Sequence, residues 1–180
     1  GVAAAPFATP DYAYSIAQPG DTIYVDAGTY DLGGFTYSFP KAITFLGANY
    51  QISPNDASNK LLPNATRNAE SIFTNGKMLI ASNDISIEGF TWDVGNRTGV
   101  ELVNTALTNN DFGNFRFVKN IYKITHTNAN LNSFLITGKF VTSPAMPVTS
   151  GFNIEDNRFE KSGSATGTTV NFNYVKNILV

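Results

Sequence analysis

Gln18-Pro19-Gly20-Asp21-Thr22-Ile23-Tyr24-Val25-Asp26-Ala27-Gly28-Thr29-Tyr30 is the stretch that decides the fold. Pro19-Gly20 stops whatever precedes it, because proline lacks a main-chain donor and glycine admits a turn. The chain then alternates, with Ile23 and Val25 on one face and Thr22 and Tyr24 on the other, the period-2 pattern of a half-buried strand. Upstream, Pro10-Asp11-Tyr12-Ala13-Tyr14-Ser15-Ile16-Ala17-Gln18 carries apolar residues at 12, 13 and 16 and reads as the only helix, over 10–18. That helix is expected to lay Tyr12 and Ile16 over the first strands as a cap, with Asp21 bonding local amides in the turn.

Downstream, short alternating runs recur. Ala42-Ile43-Thr44-Phe45-Leu46-Gly47, Asp84-Ile85-Ser86-Ile87-Glu88-Gly89-Phe90, Asn114-Phe115-Arg116-Phe117-Val118, Ser133-Phe134-Leu135-Ile136, Gly151-Phe152-Asn153-Ile154 and Val170-Asn171-Phe172-Asn173-Tyr174 share the pattern. Their inward positions, Ile23 then Ile43, and Phe117 then Ile136, Ile154 and Phe172, recur at a spacing of roughly 20 residues. Such a period points to stacked coils of a β-solenoid, in which inward apolar residues form one continuous core. The step from Ile87 to Phe117 is half as long again, so longer coils carry loops; 49–70 is polar and Pro/Asn-rich and reads as an excursion, with 94–110 as a second. The competing reading is a β-sandwich, whose strands recur at roughly half that interval. The period, and the single Asn-Gly hairpin pair at Asn75-Gly76, favour the solenoid.

Composition bounds the function. The 180 residues carry Lys+Arg 12 against Asp+Glu 14, a formal charge of -2, with no basic block, so nucleic acid is a poor partner. No apolar run approaches the roughly 20 residues of a membrane span. There is no cysteine and a single histidine, His126, so disulfides, thiolate metal sites and His-rich sites are excluded. Charged residues are only 14%, while Asn (21) and Thr (19) are abundant, a polar but uncharged surface that suits an extracellular or cell-surface all-β protein. No secretion leader is evident in Gly1-Val2-Ala3-Ala4-Ala5-Pro6, and Asn64-Ala65-Thr66 and Asn96-Arg97-Thr98 match the glycosylation sequon.

The stretch 18–30, continued by Lys41-Ala42-Ile43-Thr44-Phe45-Leu46-Gly47-Ala48-Asn49, Glu70-Ser71-Ile72, Leu79-Ile80-Ala81-Ser82-Asn83-Asp84-Ile85-Ser86-Ile87-Glu88-Gly89-Phe90-Thr91 and Phe152-Asn153-Ile154-Glu155-Asp156-Asn157-Arg158-Phe159, resembles the right-handed parallel β-helix (pectin-lyase-like) superfamily over most of 10–180. The resemblance implies an all-β, single-stranded right-handed parallel β-helix with a short N-terminal capping helix, as one domain over 1–180. It implies little about activity, because that superfamily spans lyases, hydrolases, adhesins, phage spikes and surface-layer proteins. The strand-like end Thr168–Val180 leaves an apolar coil open, so the chain is expected to be a piece of a longer protein or to be covered there by downstream domains or other subunits.

The outer face offers little that could carry chemistry. Aligning Ile87, Phe117, Ile136 and Ile154 puts Glu88 and Glu155 in one column, three coils or about 14 Å apart, beyond the roughly 5–9.5 Å of paired glycosidase carboxylates. Glu155, Asp156 and Arg158 form a local cluster, as do Asp111 and Arg116, and each reads as a solvated ion pair. No Asp-rich loop offers calcium its six to eight oxygens. No catalytic residue, metal ligand or cofactor is therefore assigned. Carbohydrate contact is expected at Trp92, Asp93 and Arg97, an aromatic face beside charges. Asn83, Asn120, Asn157 and Asn177 are expected to stack as amide ladders. The expected role is a non-enzymatic scaffold or adhesin; the alternative is a polysaccharide lyase or glycoside hydrolase, while the near-isolated Thr125-x-Thr127 argues against an ice or crystal-surface binder.

Overall fold

Successive strands step from one parallel sheet to the next, and every third strand returns to the first. The computed structural model describes residues 6–33, 36–93, 100–103, 113–125, 132–137, 151–162, 168–173 and 178–179. A six-stranded sheet has the order β1 (Thr22–Tyr24), β4 (Thr44–Leu46), β7 (Ser86–Glu88), β10 (Arg116–Val118), β13 (Phe152–Glu155), β16 (Ile178–Leu179). A five-stranded sheet runs β2 (Gly28–Asp31), β5 (Ser71–Thr74), β8 (Phe90–Asp93), β11 (Ile121–Ile124), β14 (Arg158–Lys161). The third runs β3 (Thr36–Phe39), β6 (Lys77–Ile80), β9 (Val100–Val103), β12 (Asn132–Thr137), β15 (Thr168–Asn173).

This pairing corrects the expected fold class. The single right-handed β-helix rests on a coil of roughly 20 residues, and that repeat is not the one the chain uses. Partners in the six-stranded sheet are unevenly spaced along the chain: Thr22 pairs with Thr44, Thr44 with Ser86, Ser86 with Arg116, Arg116 with Asn153, and Phe152 with Ile178. Phe117 and Ile136, expected in one column, belong to different sheets: Phe117 pairs with Ile154, and Ile136 pairs with Leu102 and Phe172. Alternation tells which face a side chain takes, not which sheet its strand joins. Among the described residues the fold is three parallel sheets with one short helix, and not the expected single-stranded right-handed β-helix.

The core follows the register. Ile23, Phe45, Ile87, Phe117 and Ile154 stack rung on rung, none more than 8% exposed. In the five-stranded sheet the corresponding column is aromatic throughout: Tyr30, Phe73, Trp92, Tyr122 and Phe159. Consecutive ring centroids are 6.0, 4.9, 6.3 and 5.9 Å apart, the range of favourable aromatic pairs.

On three rungs the chain turns between these two sheets through a single left-handed residue: Gly89 (φ 80), Lys119 (φ 54) and Asp156 (φ 52). The next residue on the two later rungs is asparagine, and its amide replaces the ladder that the corner interrupts. Asn120 is fully buried. Its Oδ1 accepts from the Phe90 amide (2.9 Å), and its Nδ2 donates to the Ile87 carbonyl (3.0 Å). Asn157 repeats the motif, accepting from the Asn120 amide (2.9 Å) and donating to the Phe117 carbonyl (2.7 Å). Asn83 stands at a different corner, accepting from the Gly113 amide, so it is not part of this ladder; Asn177 lies outside the described residues. Asn120→Ala leaves the buried Phe90 amide without its acceptor and removes one of the donors to the Ile87 carbonyl. Its expected cost is about 2 kcal/mol, measured by chemical denaturation; a change below about 0.5 kcal/mol would show that the amide ladder is dispensable.

Candidate functional site

The N-terminal end of the sheets carries a cleft. Helix α1 (Pro10–Ile16) begins with proline at its first turn, where the missing amide costs nothing, and has Asp11 beside its positive end. It buries Pro10 and Tyr14, with its C-cap Ala17 buried beside them, not the expected Tyr12 and Ile16, which are 56% and 48% exposed. The reason is a rotation of the apolar stripe: Tyr14 stacks on Phe45 (6.1 Å) and its hydroxyl accepts from the Lys41 amide (2.9 Å), which fixes that face inward. Lys41 Nζ then donates to the carbonyls of Tyr14, Ser15 and Ala17, each at 3.1 Å, satisfying the helix end.

Seated in this way, α1 leaves a cleft of about 640 Å³ between its Thr9–Ile16 flank and strand β1. Tyr24 stands 67% exposed at its side and meets Tyr50 edge-on at 5.9 Å. Asp21 and Asp26 line the cleft at the two ends of β1. Asp21 Oδ2 accepts from the Gln18 amide (2.8 Å), and the Tyr30 hydroxyl donates to the Asp26 carbonyl (2.9 Å).

Burial, and then the Asp26 charge, raise the Tyr30 phenol above its ordinary 10.0. Burial raises Tyr14 as well, against the opposing hydrogen bond from the Lys41 amide. A raised phenol favours the folded state up to the unfolded-chain value, and the contribution is lost as pH climbs towards and through the folded value. The unfolding temperature is expected to hold up to about pH 10 and to fall above it, more gently in a Tyr14→Phe/Tyr30→Phe variant. An equally steep fall in that variant would assign the alkaline loss to other groups.

A second polar cluster holds residues 47–70 against the sheet corner. Arg67, with a side chain only 5% exposed, binds Glu70 through two bonds (2.7 and 2.9 Å) and donates to the carbonyls of Ile52 (2.6 Å) and Lys119 (3.2 Å). Glu88, 5% exposed, accepts from the Gln51 amide (2.8 Å) and pairs with Arg116 and Lys119. Asp156 Oδ1 accepts from Ser53 Oγ (2.7 Å) and Asn55 Nδ2 (3.3 Å). Arg158 pairs with Glu160 (2.8 Å) and donates to the Leu61 carbonyl (3.4 Å). The Asp156–Arg158 cluster is thus a clasp for the excursion and not a free solvated turn.

Glu88 and Glu155 are two rungs apart, with Val118 between them, and not three coils. That brings them to roughly 10 Å. Glu88 is nonetheless committed to its cations and the Gln51 amide, while Glu155 faces solvent. Asn64 uses both ends of its amide, donating to the Ser53 carbonyl and accepting from Thr66.

Of the residues expected to touch carbohydrate, Trp92 is 0% exposed, packed among Phe73, Phe90, Phe117 and Tyr122, so its face is closed to a ligand. Asp93 sits at the surface, 3.9 Å from Lys123. Arg97, Asn96, Asp111 and His126 lie outside the described residues. Strand β8 begins at Phe90, so Trp92 is an inward rung and not the start of a loop. The outward phase of Tyr24 is legible in Thr22-Ile23-Tyr24, and Tyr24 is exposed as that alternation expects; Asp26 escapes the sequence reading, and the cleft itself depends on how α1 packs. Among the described residues, no group of three His, Cys, Asp or Glu could hold a metal ion, and no helix is long and apolar enough to cross a membrane. No family model, curated protein or solved structure matches this chain.

Proposed function

We propose that this chain is a non-enzymatic structural module of an extracellular or cell-surface protein, a set of parallel sheets that presents a pinned loop. One observation carries the reading. Charged residues at the sheet corner hold residues 47–70: Glu88 accepts from the Gln51 amide, Asp156 from Ser53 and Asn55, and Arg158 donates to the Leu61 carbonyl, while Arg67 of the loop donates to the Lys119 carbonyl. The loop so held carries Leu61 and Leu62 outward, 85% and 53% exposed. The uncharged Asn- and Thr-rich composition supports the location.

The test is incubation with acidic and neutral polysaccharides, with and without calcium, followed by assays for new reducing ends and unsaturated products. No turnover is expected. Turnover that copurifies with the protein and is abolished by Asp156→Asn, in a variant that keeps the native circular dichroism spectrum, would replace the scaffold reading with a lyase or hydrolase.

A further inference from the structure

We infer that the groove between α1 and β1 takes an extended, basic peptide segment as an added strand on the six-stranded sheet. The observation is an open edge. β1 is the outermost strand, paired on one side only, with β4. The Asp21 carbonyl and the Val25 amide both bond across to that side, accepting from the Thr44 amide (3.1 Å) and donating to the Leu46 carbonyl (2.8 Å). Main-chain groups alternate in direction along a strand, so the N–H and C=O of Thr22 and Tyr24 point the other way, into the cleft. Among the described residues, no hydrogen bond reaches them. Two donors and two acceptors, repeated every second residue, match the main chain of an extended peptide, the geometry of recognition by strand addition.

The walls narrow the chemistry of the occupant. The opposite side is the α1 flank, where Ala13 and the half-exposed Ile16 offer apolar contact, with Phe7 beside them. The cleft lining contains two carboxylates, Asp21 and Asp26, and no lysine or arginine. These acids flank the free edge at both ends. They discourage indiscriminate pairing of neutral or acidic strands, a usual defence of exposed edges. A segment with an apolar centre and a basic residue at each end turns the same charges into attraction. A cleft of about 640 Å³ suits a few residues of extended chain and not a whole domain. This inference stands on the open edge alone and does not depend on the scaffold reading.

The test uses the full chain and a fluorescently labelled, end-blocked peptide, Lys-Val-Thr-Val-Lys, followed by anisotropy and by amide NMR shifts. Binding is expected to move the Thr22 and Tyr24 amides first. Two N-methylated isomers, one blocked at the second and fourth residues and one at the third, expose opposite peptide edges. One is expected to lose about tenfold in affinity and the other to stay within about twofold. A Glu-Val-Thr-Val-Glu peptide, and an Asp21→Asn/Asp26→Asn protein whose melting temperature is unchanged, are each expected to weaken binding about tenfold. The inference is overturned by equal binding of both N-methyl isomers, by no binding of the basic peptide at about 1 mM, or by a neutral oligosaccharide shifting the same amides when the peptide does not.

Discussion

Replacing Trp92 with alanine is expected to lower stability by about 4 kcal/mol, the cost of emptying a large aromatic site in a closed core. Trp92 is the middle rung of the column Tyr30, Phe73, Trp92, Tyr122 and Phe159, so its loss unseats the rings on both sides. Phe73 lies 4.9 Å away on the preceding rung and Tyr122 6.3 Å away on the next, while Phe117 reaches it from the six-stranded sheet at 6.2 Å. Parallel sheets joined by such columns share one core, and a void in it cannot be filled by moving a single loop. Trp92→Phe separates volume from polarity. Among the described residues the buried indole Nε1 has no hydrogen-bond partner, so phenylalanine gives up volume and also removes an unsatisfied donor. The two changes offset each other, and a net effect within about 1 kcal/mol is expected from urea unfolding followed by circular dichroism. As the only tryptophan, Trp92 also reports on itself: its emission is expected to be blue-shifted, resistant to acrylamide and indifferent to added glycans. Loss of less than about 1 kcal/mol in the alanine variant, or ready quenching, would place the ring at the surface.

Trp92 also shows where sequence reasoning stops. The alternation around Ile23, Ile87, Phe117 and Ile154 identifies a true inward column, because period 2 is a local property that a strand carries wherever it lies. Ile23 pairs with Phe45 and not with Ile43, a slip of two positions that keeps the face and misses the partner. The spacing places Ile136 in this column because it falls almost midway between Phe117 and Ile154 and so resembles a period, yet it belongs to the third sheet. Nothing local distinguishes the sheets; loop lengths decide, and these vary widely along the stack. Trp92 is misplaced for a related reason. Strand β7 ends at Glu88 and β8 begins at Phe90, so what reads as one strand running into a loop is two strands around a one-residue corner.

The charged residues divide in the same way. Glu88 alternates correctly as an outward residue, and in an open sheet it would be solvated. It is buried because residues 47–70 fold back over it and because Arg116 and Lys119 arrive from the next rung. Arg116 is far from Glu88 in sequence, and its approach follows from register, which composition and spacing leave undetermined. The cleft beside β1 is equally invisible, since it follows from the rotation of α1 that buries Tyr14 and Ala17 and turns Ile16 outward. The free edge of β1, however, follows from strand order alone.

Gly89→Ala is expected to cost about 3 kcal/mol, more than the conformation of the residue explains. Gly89 has φ +80, a region in which a side chain adds about 1 kcal/mol of strain. The larger contribution is contact. A Cβ there would lie 2.2 Å from the Tyr50 amide nitrogen and 2.5 Å from the Asn49 carbonyl carbon, both main chain, so no rotamer change relieves it. Those atoms belong to the first turn of the excursion, in which the Tyr50 amide donates to the Gly47 carbonyl and the Ile52 amide to the Asn49 carbonyl, each at 3.0 Å. Displacing that turn pulls the Gln51 amide away from Glu88, leaving a buried carboxylate with one partner fewer. Gly20 supplies the control. It is also left-handed (φ +93), yet a Cβ would meet nothing within 4 Å, so Gly20→Ala isolates the strain at about 1 kcal/mol. The difference between the two variants measures how tightly the excursion is seated on the corner. Protease cleavage within residues 47–70 is expected to accelerate in Gly89→Ala and to stay unchanged in Gly20→Ala. Equal losses in both variants would mean that the excursion yields to the added methyl, and that the corner carries it without being locked by it.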